Sequence, residues 1–306
     1  TMAKNVSLSG TGLHTGVKVT LTLKPAEADK GIVFKRTDLE GEPEIPAQAR
    51  YVISTDRGTT IGNNGANIST IEHVLAAIVG CDIDNILVEI NGMETPIMDG
   101  SSMPFVKVLE EAGISEQEKE RDFYTITEPI SYSDEDGVEI MAVPADDYEV
   151  SVMVDYGTKV LGSQNATLKN LADFKSEIAN CRTFSFLHEL EYLLDNGLIK
   201  GGDINNAIVY VDREVEGDTL VKLKKAFKKD NVAVKQNGIL DNLDLHYPNE
   251  AARHKLLDVV GDLALAGCRI KGRVFAIRPG HKANTEFAKL LAQKIKEDSR
   301  FAGVPK

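Results

Sequence analysis

Val17 to Leu23 reads Val-Lys-Val-Thr-Leu-Thr-Leu. Every second side chain is apolar, which is the period of a strand with one buried face, and Pro25 closes the run. Ile32 to Phe34 and Ile86 to Ile90 are further strand candidates. Between them, Ser69-Thr70-Ile71-Glu72 has the spacing of a capping box. It predicts a helix that starts there and runs through an apolar stretch to Val79, stopped by Gly80. A second helix is expected from Pro104 to Ala112, ending at Gly113.

The stretch from Ser115 to Asp122 is wholly polar and follows a helix stop, so a domain boundary is placed there. This gives an N-terminal domain of residues 1–122 and a C-terminal domain of residues 123–306. The second half opens with strand candidates at Tyr124 to Thr127, Val138 to Val143 and Glu149 to Val154. Helices are expected at Phe186 to Asp195 and Glu250 to Ala266, then a strand at Arg273 to Ile277 and a last helix from Asn284 to Lys296. Strands and helices mix without regular alternation, which favours two α+β domains over a doubly wound sheet. Lys222 to Lys229 reads as a solvated lysine-rich surface.

A chain of 306 residues with 42% hydrophobic and 27% charged side chains has room for two cores, and it is not disordered, collagenous or a long coiled coil. Its 47 acidic residues outnumber 35 basic ones, giving a net charge of -12 that argues against a general partner among nucleic acids or anionic membranes. The excess is uneven, because residues 253 to 289 carry eight Lys/Arg against three Asp/Glu. Three cysteines, Cys81, Cys181 and Cys268, lie far apart and read as reduced thiols of a cytoplasmic protein. The longest uncharged apolar stretch, Val74 to Cys81, is far short of the roughly 20 residues that span a bilayer, and no signal core follows the Thr1-Met2 start.

The strongest chemical pattern is His254-Lys-Leu-Leu-Asp258-Val-Val-Gly-Asp262. Spacings of four put an imidazole and two carboxylates along one helix face. His254 and Asp258 would supply nitrogen and oxygen donors to one metal ion, although taken alone such a face is more often simply solvated. Gly261 beside them suits a point where something approaches closely. Glu72-His73 would add a third ligand and a base, in an order that excludes the HExxH pattern. His281 follows Arg278-Pro279-Gly280 at an expected strand-to-helix turn, exposed enough to exchange protons, and Thr183-Phe184 would bring a hydroxyl near a cleft. The glycine-rich Ser9 to Gly16 lacks the Lys-Ser/Thr of a phosphate loop and reads as a turn that leaves His14 unassigned.

Three segments, Ser69 to Ala77, His254 to Asp262 and Gly280-His281-Lys282, closely resemble the UDP-3-O-acyl-N-acetylglucosamine deacetylases, zinc amidases of lipid A biosynthesis. Gly10 to Gly16, Pro96 to Ser101, Cys181 to Phe184 and Gly201-Gly202 agree as well, so the similarity runs along nearly the whole chain. The resemblance implies two similar α+β domains, each a sheet layer on a helix layer, with the active site between them. It implies His73, His254 and Asp258 as Zn²⁺ ligands, with Fe²⁺ as an alternative metal. Glu72 would then be the general base, His281 the general acid, Asp262 the carboxylate that orients His281, and Thr183 a donor to the oxyanion.

For the substrate, a UDP-linked acylated amino sugar, the resemblance implies Lys255 at phosphate or acyl oxygen and Asp155 with Tyr156 near uridine, where the family often carries Phe. Phe184 and Gly202 would be further contacts. The segment Phe186 to Ile199, with Leu190 and Leu194, would line a passage for the acyl chain, and no obligatory protein partner is implied. Some members continue into a dehydratase domain, so the Phe301 to Lys306 tail is expected to be a linker. Competing readings are another metal-dependent amidase or deacylase, and a nucleotide-sugar binding protein without catalysis. Glu72 discriminates them, since a binding module needs no base beside its ligand.

Overall fold

The computed structural model describes residues 1–195, 206–213, 215, 217–227, 232–241 and 243–298. The first half runs β1 (Val6–Thr11), β2 (Lys18–Pro25), β3 (Ile32–Arg36), β4 (Glu44–Pro46), β5 (Val52–Ser54), β6 (Thr60–Asn63), β7 (Ala66–Ile68), α1 (Glu72–Gly80), β8 (Ile86–Ile90) and α2 (Met103–Ala112). The second half runs β9 (Phe123–Thr125), β10 (Ile130–Ser133), β11 (Glu139–Val143), β12 (Tyr148–Asp155), β13 (Ser163–Leu168), α3 (Phe174–Glu177), β14 (Phe184–Phe186), α4 (Leu187–Asp195), β15 (Ile208–Tyr210), α5 (Gly217–Phe227), α6 (Glu250–Leu263), β16 (Arg269–Ile277) and α7 (His281–Glu297).

Period-two patterning builds both main sheets. In β2, Val19, Leu21 and Leu23 point into the core while the residues between them face out, and β8 buries Ile86, Val88 and Ile90 in the same way. The first sheet has the order β1-β2-β8-β3-β4, in which only the β3–β8 pair is parallel. The second has the order β10-β11-β16-β12-β13, with β12–β16 the parallel pair on that path, and β9 added parallel to β16. Strand order and strand sense therefore repeat. Two hairpins come first in each half, and the last strand inserts between them after a helix.

Each half is an α+β unit, and the helix layers face one another. In the second half α6 packs on β12 and β13 and α7 on β10 and β11, while in the first α2 packs on β1. α1 lies against both α2 and α6. A helix apolar on all sides belongs in an interior, and α1 is buried from Glu72 through Val79. Each half also carries an insertion: the three-stranded sheet β5-β6-β7, and the parallel pair β14-β15 with α4 and α5. Leu187, Leu190, Val209, Leu223, Val232 and Leu240 form a small core of their own in the second insertion.

Several expectations shift. The Ser69-x-x-Glu72 spacing is not a capping box: Ile71 precedes the helix without a side-chain cap, and the Ser69 hydroxyl donates to the Met93 carbonyl. Ser69 instead joins the chain at Glu94 in a strand-like bridge, which takes it off the helix axis. Three of the eight residues of the glycine-rich segment, Ser9 to Thr11, belong to strand β1, and the turn is confined to residues 12–17. The last helix begins at His281, three residues earlier than expected, and β16 begins at Arg269, four earlier. Cys81, Cys181 and Cys268 are free thiols. Gly202, Phe301 to Lys306 and the side chain of Leu194 lie outside the described residues.

Candidate active site

His254, Asp258 and Asp262 occupy successive turns of α6, as their spacing requires. The face they share is not solvated, since His254 is 2% exposed, Asp258 1% and Asp262 0%. It points at the first turn of α1, which carries the buried Glu72 and His73. Gly261 makes the approach of the helices. A Cβ at that position would stand 2.2 Å from the Glu72 carbonyl oxygen, so a glycine is required where α1 crosses.

His73, His254 and Asp258 converge, each offering one ligand atom within 4.8 Å of the others. The Asp258 Oδ1 lies 3.5 Å from His254 Nε2 and 3.9 Å from His73 Nε2, and the two imidazoles meet nearly at right angles. The His254 Nδ1 is 3.0 Å from the Cys181 carbonyl, which only accepts, so Nδ1 carries the proton and Nε2 presents a lone pair to the cluster. The Ser102 hydroxyl donates to the His73 carbonyl and secures the start of α1.

Electrostatics fit a cation at this point. Among the described residues, Asp258 Oδ1 is buried without a hydrogen-bond partner, a demand that a metal ion would satisfy. Burial lowers the pKa of His73 to about 3, helped by the neighbouring His254, and lowers that of His254 as well, so both stay neutral and able to ligate. Burial alone would raise Asp258, but Lys255, whose Nζ is 2.9 Å from Oδ2, and the charged His281 hold it well below the usual carboxylate range. Two neutral imidazoles and one carboxylate are a donor set for Zn²⁺ or another divalent transition ion.

A second group adjoins this one. His281, the first residue of α7, has its Nε2 4.0 Å from Glu72 Oε1 and 3.9 Å from Asp258 Oδ2. Its side chain is 13% exposed, so it opens on the site and not on bulk water, contrary to the expectation of an exposed turn. The His281 Nδ1–H donates to Asp262 Oδ2 at 2.9 Å. Burial disfavours its charged form, yet Asp262, Glu72 and Asp258 together outweigh that and raise its pKa to about 9. Desolvation raises Glu72 to about 7, with Asp262 and Asp258 adding to it and His281 opposing. A carboxyl group and an imidazole thus stand side by side with both pKa values raised, Glu72 to about 7 and His281 to about 9.

Sequence reading did not find the residues that hold this pair. Thr59 donates its N–H to Glu72 Oε2 at 2.9 Å and its hydroxyl to Asp262 Oδ1 at 2.6 Å, and Asn284 donates to Asp262 Oδ2 at 2.9 Å. Nor did it find the Arg182–Glu250 pair, in which the guanidinium binds a fully buried carboxylate at 2.9 Å. That pair clamps the segment bearing the Cys181 carbonyl onto the start of α6. Arg182 lies in the Cys181 to Phe184 segment, which carried no sign of its distant partner, and the others belong to none of the motifs named above.

The expected substrate residues are placed unevenly. Thr183 follows this clamp, with its N–H on the Gly100 carbonyl at 2.8 Å. The Phe184 ring centroid is 6.3 Å from that of His254, and Lys255 Nζ lies 5.7 Å over Phe184. Tyr156 stands edge-on to Phe184 and Phe186, which extends an aromatic wall away from the metal cluster. Asp155 is turned to its own loop, accepting from the Gly157 N–H and the Ser163 hydroxyl. Leu190 is 5% exposed in the small core between α4 and α5, where it packs on protein and not on the metal cluster.

A family profile described as LpxC, UDP-3-O-acyl N-acetylglycosamine deacetylase, matches residues 1–229 and 221–293. Among curated proteins, the chain is 46% identical to the bifunctional enzyme LpxC/FabZ of Chlorobaculum tepidum over 95% of its own length and 63% of that protein's. It is 44% identical to the bifunctional enzyme LpxC/FabZ of Bacteroides thetaiotaomicron over 97% of this chain and 64% of that protein. It is 38% identical to the UDP-3-O-acyl-N-acetylglucosamine deacetylase of Syntrophotalea carbinolica, over 95% of this chain and 87% of the relative. The chain thus spans just under two thirds of the two bifunctional relatives and most of the monofunctional one. With matches running from the first strand to the last helix, the chain belongs to the UDP-3-O-acyl N-acetylglycosamine deacetylase family.

Proposed function

We propose that this protein hydrolyses the acetamide of a UDP-3-O-acyl-N-acetylglucosamine, releasing acetate and the free 2-amino sugar for lipid A biosynthesis. The observation that carries the reading is the buried convergence of His73, His254 and Asp258 beside Glu72 and His281, in a chain of the deacetylase family. His73, His254 and Asp258 would hold the metal, with Zn²⁺ the ion that this donor set favours and Fe²⁺ the alternative. When bound, such an ion supplies Lewis acidity, polarising a carbonyl and making water nucleophilic near neutral pH.

The remaining chemistry belongs to the chain. Glu72, with a pKa of about 7, takes a proton from the attacking water. His281 is protonated below about pH 9 and donates from Nε2 to the departing amine, while Asp262 keeps Nδ1 engaged so that the proton sits on the side facing the substrate. The Thr183 hydroxyl offsets charge developing on the carbonyl oxygen. Lys255, whose ammonium is held charged by Asp258 against the effect of burial, would meet phosphate or acyl oxygen. Tyr156 with Phe184 forms the aromatic wall for the nucleoside, and Asp155 flanks it. Leu190 and Leu194 are assigned to the acyl passage, which requires α4 and α5 to part around a chain, and Gly202 to a further substrate contact.

A division near residue 122 makes each repeat of the fold one domain, with the reaction at their junction. Among the described residues no helix is long and apolar enough to cross a membrane, which is compatible with action in the bacterial cytoplasm. Acetate release from the acylated UDP-sugar, measured with and without chelator, tests substrate and metal together. The reading expects release that stops with chelator and returns with equimolar Zn²⁺, and Asp258→Ala purified without stoichiometric metal. Binding of the nucleotide sugar with no acetate released would leave a binding protein in its place.

A further inference from the structure

We propose that Thr59 is a positioning residue that fixes the Glu72 base and the Asp262–His281 pair to one point of the backbone. The inference rests on the deacetylase reading above. Thr59 immediately precedes β6, in the small sheet inserted between β4 and α1, and it is completely buried. Its backbone N–H donates to Glu72 Oε2 at 2.9 Å, and its carbonyl accepts from the Ile71 N–H at 3.3 Å, a reciprocal clamp on the turn that starts α1. Its hydroxyl donates to Asp262 Oδ1 at 2.6 Å and stands 3.5 Å from His281 Nδ1. Gly58 allows the approach, because a Cβ there would lie 3.0 Å from Glu72 Oε1.

Glu72 and Asp262 are buried carboxylates on α1 and α6, from opposite halves of the chain, and like charges held close repel. Among the described residues Asp262 Oδ2 receives hydrogen bonds from Asn284 and His281, while Oδ1 receives its hydrogen bond from Thr59. Removing the hydroxyl leaves a buried carboxylate oxygen unsatisfied, so the carboxyl group turns and carries the His281 ring with it. Partners that orient a functional group in this way are typically worth about 10–100-fold in activity. The length of the bond and its donor type select a hydroxyl: serine satisfies the requirement, and valine fills the same space without it.

The test uses Thr59→Val, Thr59→Ser, Asp262→Asn, His281→Ala and the double variant Thr59→Val/Asp262→Asn in the metal-loaded enzyme. The expected result is a kcat for Thr59→Val lower by about 10–100-fold with KM and metal content unchanged, and Thr59→Ser back within about threefold of the parent. The double variant should be no slower than Asp262→Asn. In metal-free protein, the urea midpoints should show the same lack of additivity, which reports the contact without any turnover. A normal kcat in Thr59→Val beside a slow His281→Ala overturns the proposal alone. So does a serine variant as slow as the valine one, or effects that multiply in the double variant. A fully active His281→Ala overturns the underlying role assignment and the proposal with it. If Thr59→Val does not fold, Thr59→Ala is read by the same criteria.

Discussion

At the scale of single residues, the site is set by burial acting on neighbours of opposite charge. In the proposed reaction Glu72 works deprotonated, so activity should fall as pH drops through about 7, and His281 works protonated, so activity should fall as pH rises through about 9. A bell-shaped kcat/KM profile with its plateau between these values is expected, and His281→Ala should lose the alkaline limb while keeping the acid one. Metal removal should abolish turnover but leave the fold, because the Lys255 ammonium already compensates Asp258 at 2.9 Å. Titrating metal back should raise the melting temperature progressively with concentration, as ligand linkage requires, and calorimetry checks it. His254 and Asp258 were legible as residue types at helical spacing, and Glu72 and His73 as an adjacent pair. Thr59 was not, because its bond to Asp262 spans 203 positions and no local pattern encodes such a contact.

At the scale of elements, the decisive contact is the crossing of α1 and α6. Alanine is a better helix former than glycine by about 1 kcal/mol, so propensity alone predicts that Gly261→Ala stabilises α6. The 2.2 Å approach to the Glu72 carbonyl predicts the reverse: overpacking of about 1–3 kcal/mol, a lower melting temperature and a large fall in kcat as Glu72 is pushed aside. Thermal unfolding and kinetics on that variant decide between them. The helix of α6 was legible because His254, Asp258 and Asp262 recur at spacings of four, and α1 was legible as an apolar run ended by Gly80, although it starts at Glu72. The apparent capping box misled because the hydroxyl of Ser69 is used by the chain at Met93, and spacing does not report which partner a polar group finds.

At the scale of the whole molecule, the two halves are one arrangement used twice, with helix layers meeting across the site. Arg182 and Glu250 tie the second insertion to α6 in a fully buried pair. Arg182→Met should therefore lower stability by about 3–5 kcal/mol by stranding Glu250, and Arg182→Met/Glu250→Leu should recover most of it, as urea unfolding will show. The strands, the residue types that could hold a metal and the basic strip around His254 and His281 came from the sequence, because alternation, helical period and composition are local properties. Strand order, the burial of a helix face that spacing alone would have left in water, and the threonine bonded to both Glu72 and Asp262 came only from the tertiary structure. Each depends on segments far apart in the chain reaching contact distance, and that is decided by how the two helix layers pack.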